Sequence, residues 1–351
     1  MAYALKYNFE EDKVRVAKLV EPKRIEVFEE DLNSDLCDTE VLIKVKSVAI
    51  CGTDLHIYRG ERSDVELPRV MGHELSGEVE AVGSKVENIK VGDRVVVDPV
   101  VSCGTCHVCK KGHHNVCASV GCLGVHVDGG FQDYIKMPEE RVYKFSDSIP
   151  WNEAALIEPL ACAAQMVERG RVQAGDKVVI IGAGAIGLSV LLACKLLGAE
   201  VLISDMIDSR LELAKKMNAD VVVNSKEQDI KKEVSLFTDG LGADVVLDAV
   251  GYAKLLELSV ELAAPTARVV VIGFDGSSAS IPQVVITKKE LEIIGSRMNN
   301  HKFPQVINWI ESKQLDAKDM ISSIYDIKDI DKAFSDVVNA PNDVVKAVIT
   351  F

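Results

Sequence analysis

Lys177-Val-Val-Ile-Ile-Gly182-Ala-Gly184-Ala-Ile186-Gly187 decides the fold of the second half of the chain. An apolar run of strand length meets three glycines spaced Gly-x-Gly-x-x-Gly, and an apolar segment continues to Cys194. This reads as strand, tight turn and helix. Gly182 permits the turn, Gly184 lets the backbone approach a pyrophosphate, and Gly187 lets the helix pack close to the strand. The phosphates would sit beside Ile186 at the helix N-terminus, where unpaired amides and the macrodipole favour anions. Asp205 stands at the end of the next apolar run. A carboxylate there binds the adenosine ribose hydroxyls and repels a 2′-phosphate, so the pattern implies NAD rather than NADP. Arg210 is close enough in sequence to accommodate such a phosphate. The alternative is a solvated helix residue, which the intact Asp205 favours.

Around this turn the chain alternates. Val178–Ile181, Val201–Ser204, Val221–Val223, Val245–Leu247, Val269–Ile272 and Leu291–Ile294 read as strands with four helical connections. That rhythm predicts an α/β, doubly wound parallel sheet. From Val14 to about Lys144 there are instead short apolar or alternating runs broken by Gly, Pro and Asp, as in a β-rich domain. After Gly295 the pattern predicts helices around Phe303–Lys313 and Ile330–Val338 and a strand over Val344–Phe351. This tail does not extend the alternation and is expected to return to the first domain. The expected domains are therefore 1–156 with 297–351, and 157–296.

Composition narrows the partners. The 351 residues carry a net charge of −14, which argues against nucleic acid and anionic membranes. The opening Met-Ala-Tyr-Ala-Leu-Lys shows no signal-peptide pattern. Val178–Cys194 approaches membrane-span length but contains Gly182, Gly184 and Gly187, so no membrane span is expected. Cys37, Cys51, Cys122, Cys162 and Cys194 are scattered, as in a reducing compartment, and a cytoplasmic protein is expected.

The other four cysteines are clustered: Cys103-Gly-Thr-Cys106-His-Val-Cys109, then Cys117. Four thiolates at this spacing can close around one zinc ion in a lobe of about residues 100–120. The alternatives are disulfides, or an iron–sulfur cluster, which would call for a tighter fourth spacing. His113 and His114 beside Cys117 read as a solvated loop. A second constellation is looser. Cys51 in Cys51-Gly-Thr53-Asp-Leu-His56 and His73 in Gly72-His73-Glu74 offer a thiolate and an imidazole from separate loops. Glu74 can ligate or buttress such a site. Glu158, alone on an apolar stretch, is a further candidate ligand. By spacing alone, a core thiol and an ordinary histidine explain the same residues.

Five motifs occur in order: Cys-Gly-Thr-Asp-x-His, Gly-His-Glu-x-x-Gly, the four-cysteine lobe, Glu158-Pro-Leu and Gly-Ala-Gly-Ala-Ile-Gly. Together they resemble the zinc-dependent medium-chain alcohol dehydrogenases along essentially the whole chain. Glu158 stands where one branch has cysteine, which resembles the polyol branch. Gly124-Val-His126-Val-Asp-Gly-Gly-Phe131, Ser296-Arg297-Met-Asn and Lys346-Ala-Val-Ile-Thr-Phe351 are similar to sugar-acid dehydrogenases acting on L-gulonate or L-galactonate. The resemblance implies a GroES-like catalytic domain and a Rossmann domain. It also implies two zinc ions per chain, one catalytic on Cys51, His73 and Glu74 or Glu158, and one structural on the four cysteines. Hydride would pass from a secondary alcohol to NAD, while Thr53 and His56 relay the proton. Arg297 resembles an arginine that contacts substrate, and a domain-hinge salt bridge is the competing explanation. His126 either lines the cleft or is simply a turn residue. A homodimer or homotetramer is implied. The alternative substrates are polyols or L-threonine; Ile57, where polyol enzymes often carry an aromatic residue, weakens the case for sorbitol.

Overall fold

The computed structural model describes residues 13–273, 276–340, 342 and 344–351; the Met1–Lys6 reading lies outside them. Contacts divide the chain into two units: Met1–Glu158 with Ile321–Phe351, and Pro159–Met320.

The second unit is a six-stranded parallel sheet. Its spatial order is Val221–Asn224, Glu200–Asp205, Lys177–Ile181, Ala243–Asp248, Ala263–Val271 and Glu292–Gly295. This is the 3-2-1-4-5-6 order of a doubly wound sheet, whose first crevice opens at the C-terminal end of Lys177–Ile181. The strands are nearly continuous Val, Ile and Leu because both faces are covered. Val179, Leu202, Val246 and Val269 are fully buried in its core. Five helices connect the strands rather than four. The fifth, Gln283–Lys289, follows a segment rich in Gly, Ser and Pro and begins with β-branched residues, so its helical pattern is weak. The stretch resembling a membrane span is a buried strand followed by the helix Ala185–Leu196. Among the described residues no helix is long and apolar enough to cross a membrane.

The first unit is built on a seven-stranded mixed sheet. Glu40–Ala49 is its hub, pairing with Glu74–Val82, Tyr134–Pro138 and the C-terminal strand Lys346–Thr350. Lys346–Thr350 also pairs in parallel with Ile321–Asp326, a strand the sequence pattern did not single out. The expected return of the whole tail is corrected in part. Residues 297–320, including the helix Phe303–Glu311, group with the second unit, and the chain rejoins the first only at Ile321. The amphipathic helix explains this: Phe303, Val306, Ile307 and Trp309 are its buried face.

Candidate active site

Helix α1 (Gly52–Tyr58) positions the first group of side chains. Cys51 sits at its N-cap, and Asp54, Ile57 and Tyr58 form its buried side. Thr53 and His56, three residues apart, share a face of the helix. Asp54 is fully buried, and its carboxylate ties two loops together. Oδ2 accepts from the Cys51 N–H at 2.8 Å, and Oδ1 accepts from the Gly72 N–H at 3.2 Å. Oδ1 also lies 3.7 Å from His73 Nδ1, beyond hydrogen-bond distance but close enough for its charge to act on the imidazole. Burial raises the Asp54 pKa, while His73 and the two amides oppose that rise. Burial works against a charge on His73 too, but Cys51 and Asp54 outweigh it and hold the imidazole well above its usual range.

The structure brings candidate ligand atoms of Cys51, His73 and Glu74 within 4.8 Å of one another. A soft thiolate, an imidazole and a carboxylate, the last two buried, form a donor set that suits zinc. Glu74 is already engaged. Both its oxygens accept from Lys346 Nζ at 2.5 Å, and Lys346, 2% exposed, also donates to Ile50 O at 3.3 Å. Burial alone would lower the Lys346 pKa; Glu74, helped by Cys51 and Glu158, keeps it raised. Glu158 is buried but falls outside the close group. Its charge nonetheless acts on Lys346 and on Cys122. Asp54 and Lys346 are the residues that sequence reasoning missed. Each nonetheless stands inside a motif that carries the resemblance, Cys51-Gly-Thr-Asp54-x-His and Lys346-Ala-Val-Ile-Thr-Phe351.

A glycine-rich turn backs the ligand loop. Gly129 N–H donates to Val70 O and Gly130 N–H to Gly72 O, both at 2.7 Å. A Cβ on Gly129 would stand 2.2 Å from Gly72 O, so no side chain fits. Within this turn His126 Nδ1 accepts from the Cys122 N–H at 3.0 Å, and Nε2 faces Asp64 Oδ2 at 3.6 Å. Asp64 is in turn held by Arg62 through two bonds of 2.7 and 2.6 Å, which draw its pKa down to about 2. Cys122 connects this cluster to the ligands. Burial, with help from Glu158 and Cys51 and opposition from His73, pushes its thiol up to about 12. The same thiol acts on Arg62.

The four lobe cysteines are gathered as well. Their sulfurs lie 3.5 Å (Cys106–Cys109), 3.9 Å (Cys106–Cys117) and 3.4 Å (Cys103–Cys117) apart. Ligands ~2.3 Å from a tetrahedral zinc stand ~3.8 Å from each other, so the cage fits the ion. These separations are far beyond a disulfide bond, and all four thiols are free. His114 leaves the cage alone and pairs with the buried Asp98 at 3.1 Å.

In the second unit the Gly182 turn lies between Lys177–Ile181 and α2 (Ala185–Leu196). Gly182 has φ +94°, and a Cβ there would meet Val250 at 2.4 Å. At Gly187 a Cβ would stand 1.8 Å from Gly182 O, whereas at Gly184 it would meet nothing within 4 Å. The open side at Gly184, over an α2 N-terminus with no side-chain cap, is the cradle a pyrophosphate requires. Asp205 reaches back to this turn, accepting from the Ala183 N–H at 2.7 Å and from the Met206 N–H at 2.7 Å. Arg210 lies 3.9 Å from Asp205 Oδ2. Arg297 also belongs to this unit, just past Glu292–Gly295, and is partly buried.

Residues 37–147 match the family model of the alcohol dehydrogenase GroES-like domain, and residues 185–312 that of zinc-binding dehydrogenase. Sorbitol dehydrogenase of Bacillus subtilis is 36% identical over 326 residues, 91% of this chain and 91% of that protein. The chain belongs to the zinc-type alcohol dehydrogenases. It is an NAD-dependent zinc enzyme with a GroES-like and a Rossmann unit. This dehydrogenase is also 36% identical to the 2-dehydro-3-deoxy-L-galactonate 5-dehydrogenase of Pseudoalteromonas atlantica, over 86% of this chain and 89% of that protein. Among solved structures, the NADH complex of short chain alcohol dehydrogenase rspB from Escherichia coli CFT073 matches with TM-score 0.92 and 35% identity. That match covers 97% of this chain and 100% of the other.

Proposed function

We propose that this dehydrogenase oxidises a secondary alcohol of a sugar acid of the L-gulonate or L-galactonate type, giving a keto sugar acid and NADH. The observation that carries the substrate class is the polar cluster of Arg62, Asp64 and His126, linked to the Cys51–His73 ligands through Cys122. A small apolar alcohol has no use for such a cluster, whereas a polyhydroxylated acid offers it hydroxyls and a carboxylate. The similarity to a galactonate-type dehydrogenase supports the same reading. The similarity to a sorbitol dehydrogenase favours polyols as the second reading. The pairing of Arg62 with Asp64 is compatible with that alternative, because it cancels much of the charge a carboxylate would seek.

Zinc on Cys51 and His73 supplies the Lewis acidity that makes a hydroxyl acidic, and NAD supplies the hydride acceptor. The chain does the rest. Asp54 holds the Cys51 and His73 loops in one geometry. Thr53 takes the hydroxyl proton and His56 passes it to water. Glu74 is held by Lys346, so Glu158 is our preferred third ligand. The lobe cysteines would hold a second, structural zinc, giving two per chain. Gly182, Gly184, Ile186, Gly187 and Asp205 would bind NAD, and Arg210 would steady Asp205. Arg297 would contact substrate. A cytoplasmic homodimer or homotetramer, with no nucleic-acid or membrane partner, completes the proposal.

The test is NADH absorbance on mixing enzyme and NAD with a panel of sugar acids, polyols, threonine and small alcohols, with and without a zinc chelator. Sugar acids should give the highest kcat/KM, and the chelator should abolish turnover. Preference for threonine or small alcohols would refute the substrate class.

A further inference from the structure

Helix α1 ends in a Schellman turn. Gly60, at φ +76°, donates its N–H to Ile57 O at 2.9 Å, and Glu61 donates its N–H to His56 O at 3.0 Å. This pair of bonds brings the residue after the left-handed glycine against the residue two before the last helical one. An apolar contact usually accompanies that arrangement. Here the two residues are Glu61 and His56, and Glu61 Oε2 lies 2.6 Å from His56 Nδ1. The backbone imposes the pairing, because the turn depends on Gly60. A Cβ at that position would be strained by its φ and would stand 2.9 Å from Pro22 Cγ.

A carboxylate on Nδ1 has two consequences for an imidazole. It keeps the neutral ring's proton on Nδ1, so that Nε2 carries the lone pair, and it stabilises the ring once Nε2 is protonated. Both are what a proton acceptor needs. The Glu61 carboxyl is held below its usual range chiefly by the His56 hydrogen bond, with burial opposing and the charges of His56 and Arg59 assisting. It therefore stays ionised through neutral pH.

We propose that Glu61 is a positioning residue for proton transfer, fixing the orientation and tautomer of His56 so that Nε2 accepts the proton handed on from Thr53. In the step, the Thr53 O–H bond breaks as the Nε2–H bond forms, and Thr53 is reprotonated by the substrate hydroxyl. His56 then releases its Nε2 proton to water. No electrons move in this relay, and the hydride leaves separately for NAD. The inference rests on reading His56 as the relay histidine. It adds a residue that acts through His56 and touches neither substrate nor cofactor.

The test uses the full chain labelled with ¹⁵N-histidine, the His56 signals being assigned with His56→Gln. Parent, Glu61→Gln and Glu61→Asp are compared by nitrogen shifts across pH, by kcat and KM profiles, and by Tm. In the parent the neutral His56 ring should carry its proton on Nδ1. In Glu61→Gln that preference should weaken, because the amide can donate to Nδ1 as well as accept from it. There kcat should fall roughly tenfold, a fraction of what a positioned proton-transfer group contributes, with KM and Tm little changed. Glu61→Asp should restore part of the rate. A parent ring protonated on Nε2, or identical tautomer populations in parent and Glu61→Gln, would overturn the role of Glu61. An unchanged kcat profile in His56→Gln would instead refute the relay reading itself, whatever the nitrogen shifts show.

Discussion

Lys346 carries a charge at 2% exposure; Glu74 and the Ile50 carbonyl bond it, and the charges of Cys51 and Glu158 assist. A buried pair of this kind adds little over a well-packed apolar pair, yet removing one partner strands the other. Lys346→Met should therefore destabilise the protein by about 3–5 kcal/mol in urea unfolding. The double variant Glu74→Gln/Lys346→Met should recover most of that loss. If the double variant is as unstable as the single, packing rather than charge holds this position. Asp54 makes a different kind of contribution, since its contacts run to Cys51, Gly72 and His73 together. Asp54→Asn keeps the volume but loses the charge and one acceptor. Zinc affinity at the Cys51–His73 site should drop about 10–100-fold in chelator competition, as is typical when a residue supporting a metal ligand is removed. An unchanged affinity would mean that Asp54 serves the fold alone.

The glycine turn separates two roles within one element. Gly184→Ala meets no atom of the protein within 4 Å, so the chain should fold as before while the methyl occupies the space a pyrophosphate needs. Gly187→Ala must push its methyl away from a carbonyl 1.8 Å distant. NADH titration and thermal unfolding should therefore diverge. The first variant should lose NADH affinity at constant Tm, and the second should lose both. Equal Tm losses would contradict the assignment of the open side to the cofactor. This element was readable in the sequence because its spacing follows from backbone geometry, and the same holds for the lobe cysteines, which gather around one point. The Gln283–Lys289 helix and the Ile321–Asp326 strand were not readable. The first is mostly β-branched, over Val284–Thr287, and the second, Ile-Ser-Ser-Ile-Tyr-Asp, has too few apolar residues to declare a strand. At the site, sequence reasoning reached Cys51 and His73 but missed Lys346. A lysine opening an apolar strand reads as its solvated end, whereas in the fold Lys346 pairs with Ile321 and its Nζ is enclosed on Glu74 and the Ile50 carbonyl.

Each of the two units has its own core and its own candidate ligand. The GroES-like unit is closed around Leu19, Val41, Ile43 and Phe334 and carries both cysteine-containing metal groups. The Rossmann unit is closed around Val179, Leu202 and Val246 and carries the Gly182 turn. A ligand that binds only the folded form stabilises what it binds, by ~2.7 kcal/mol at one hundred times its Kd. Calorimetry should therefore respond to each ligand through a different unit. NADH should increase amide-exchange protection along Lys177–Ile181 and Glu200–Asp205 and raise the transition in which they open. Zinc removal should lower protection first around Cys103–Cys117 and in the segment from Cys51 to Glu74, and lower the transition in which those segments open. Cys106→Ser separates the two metal groups: it should release one zinc per chain and expose the lobe before any loss at Cys51 or His73. If zinc removal instead loosened the Gly182 strand as early as the lobe, the metal groups would be stabilising the Rossmann core as well, and the assignment of ligands to separate cores would fail.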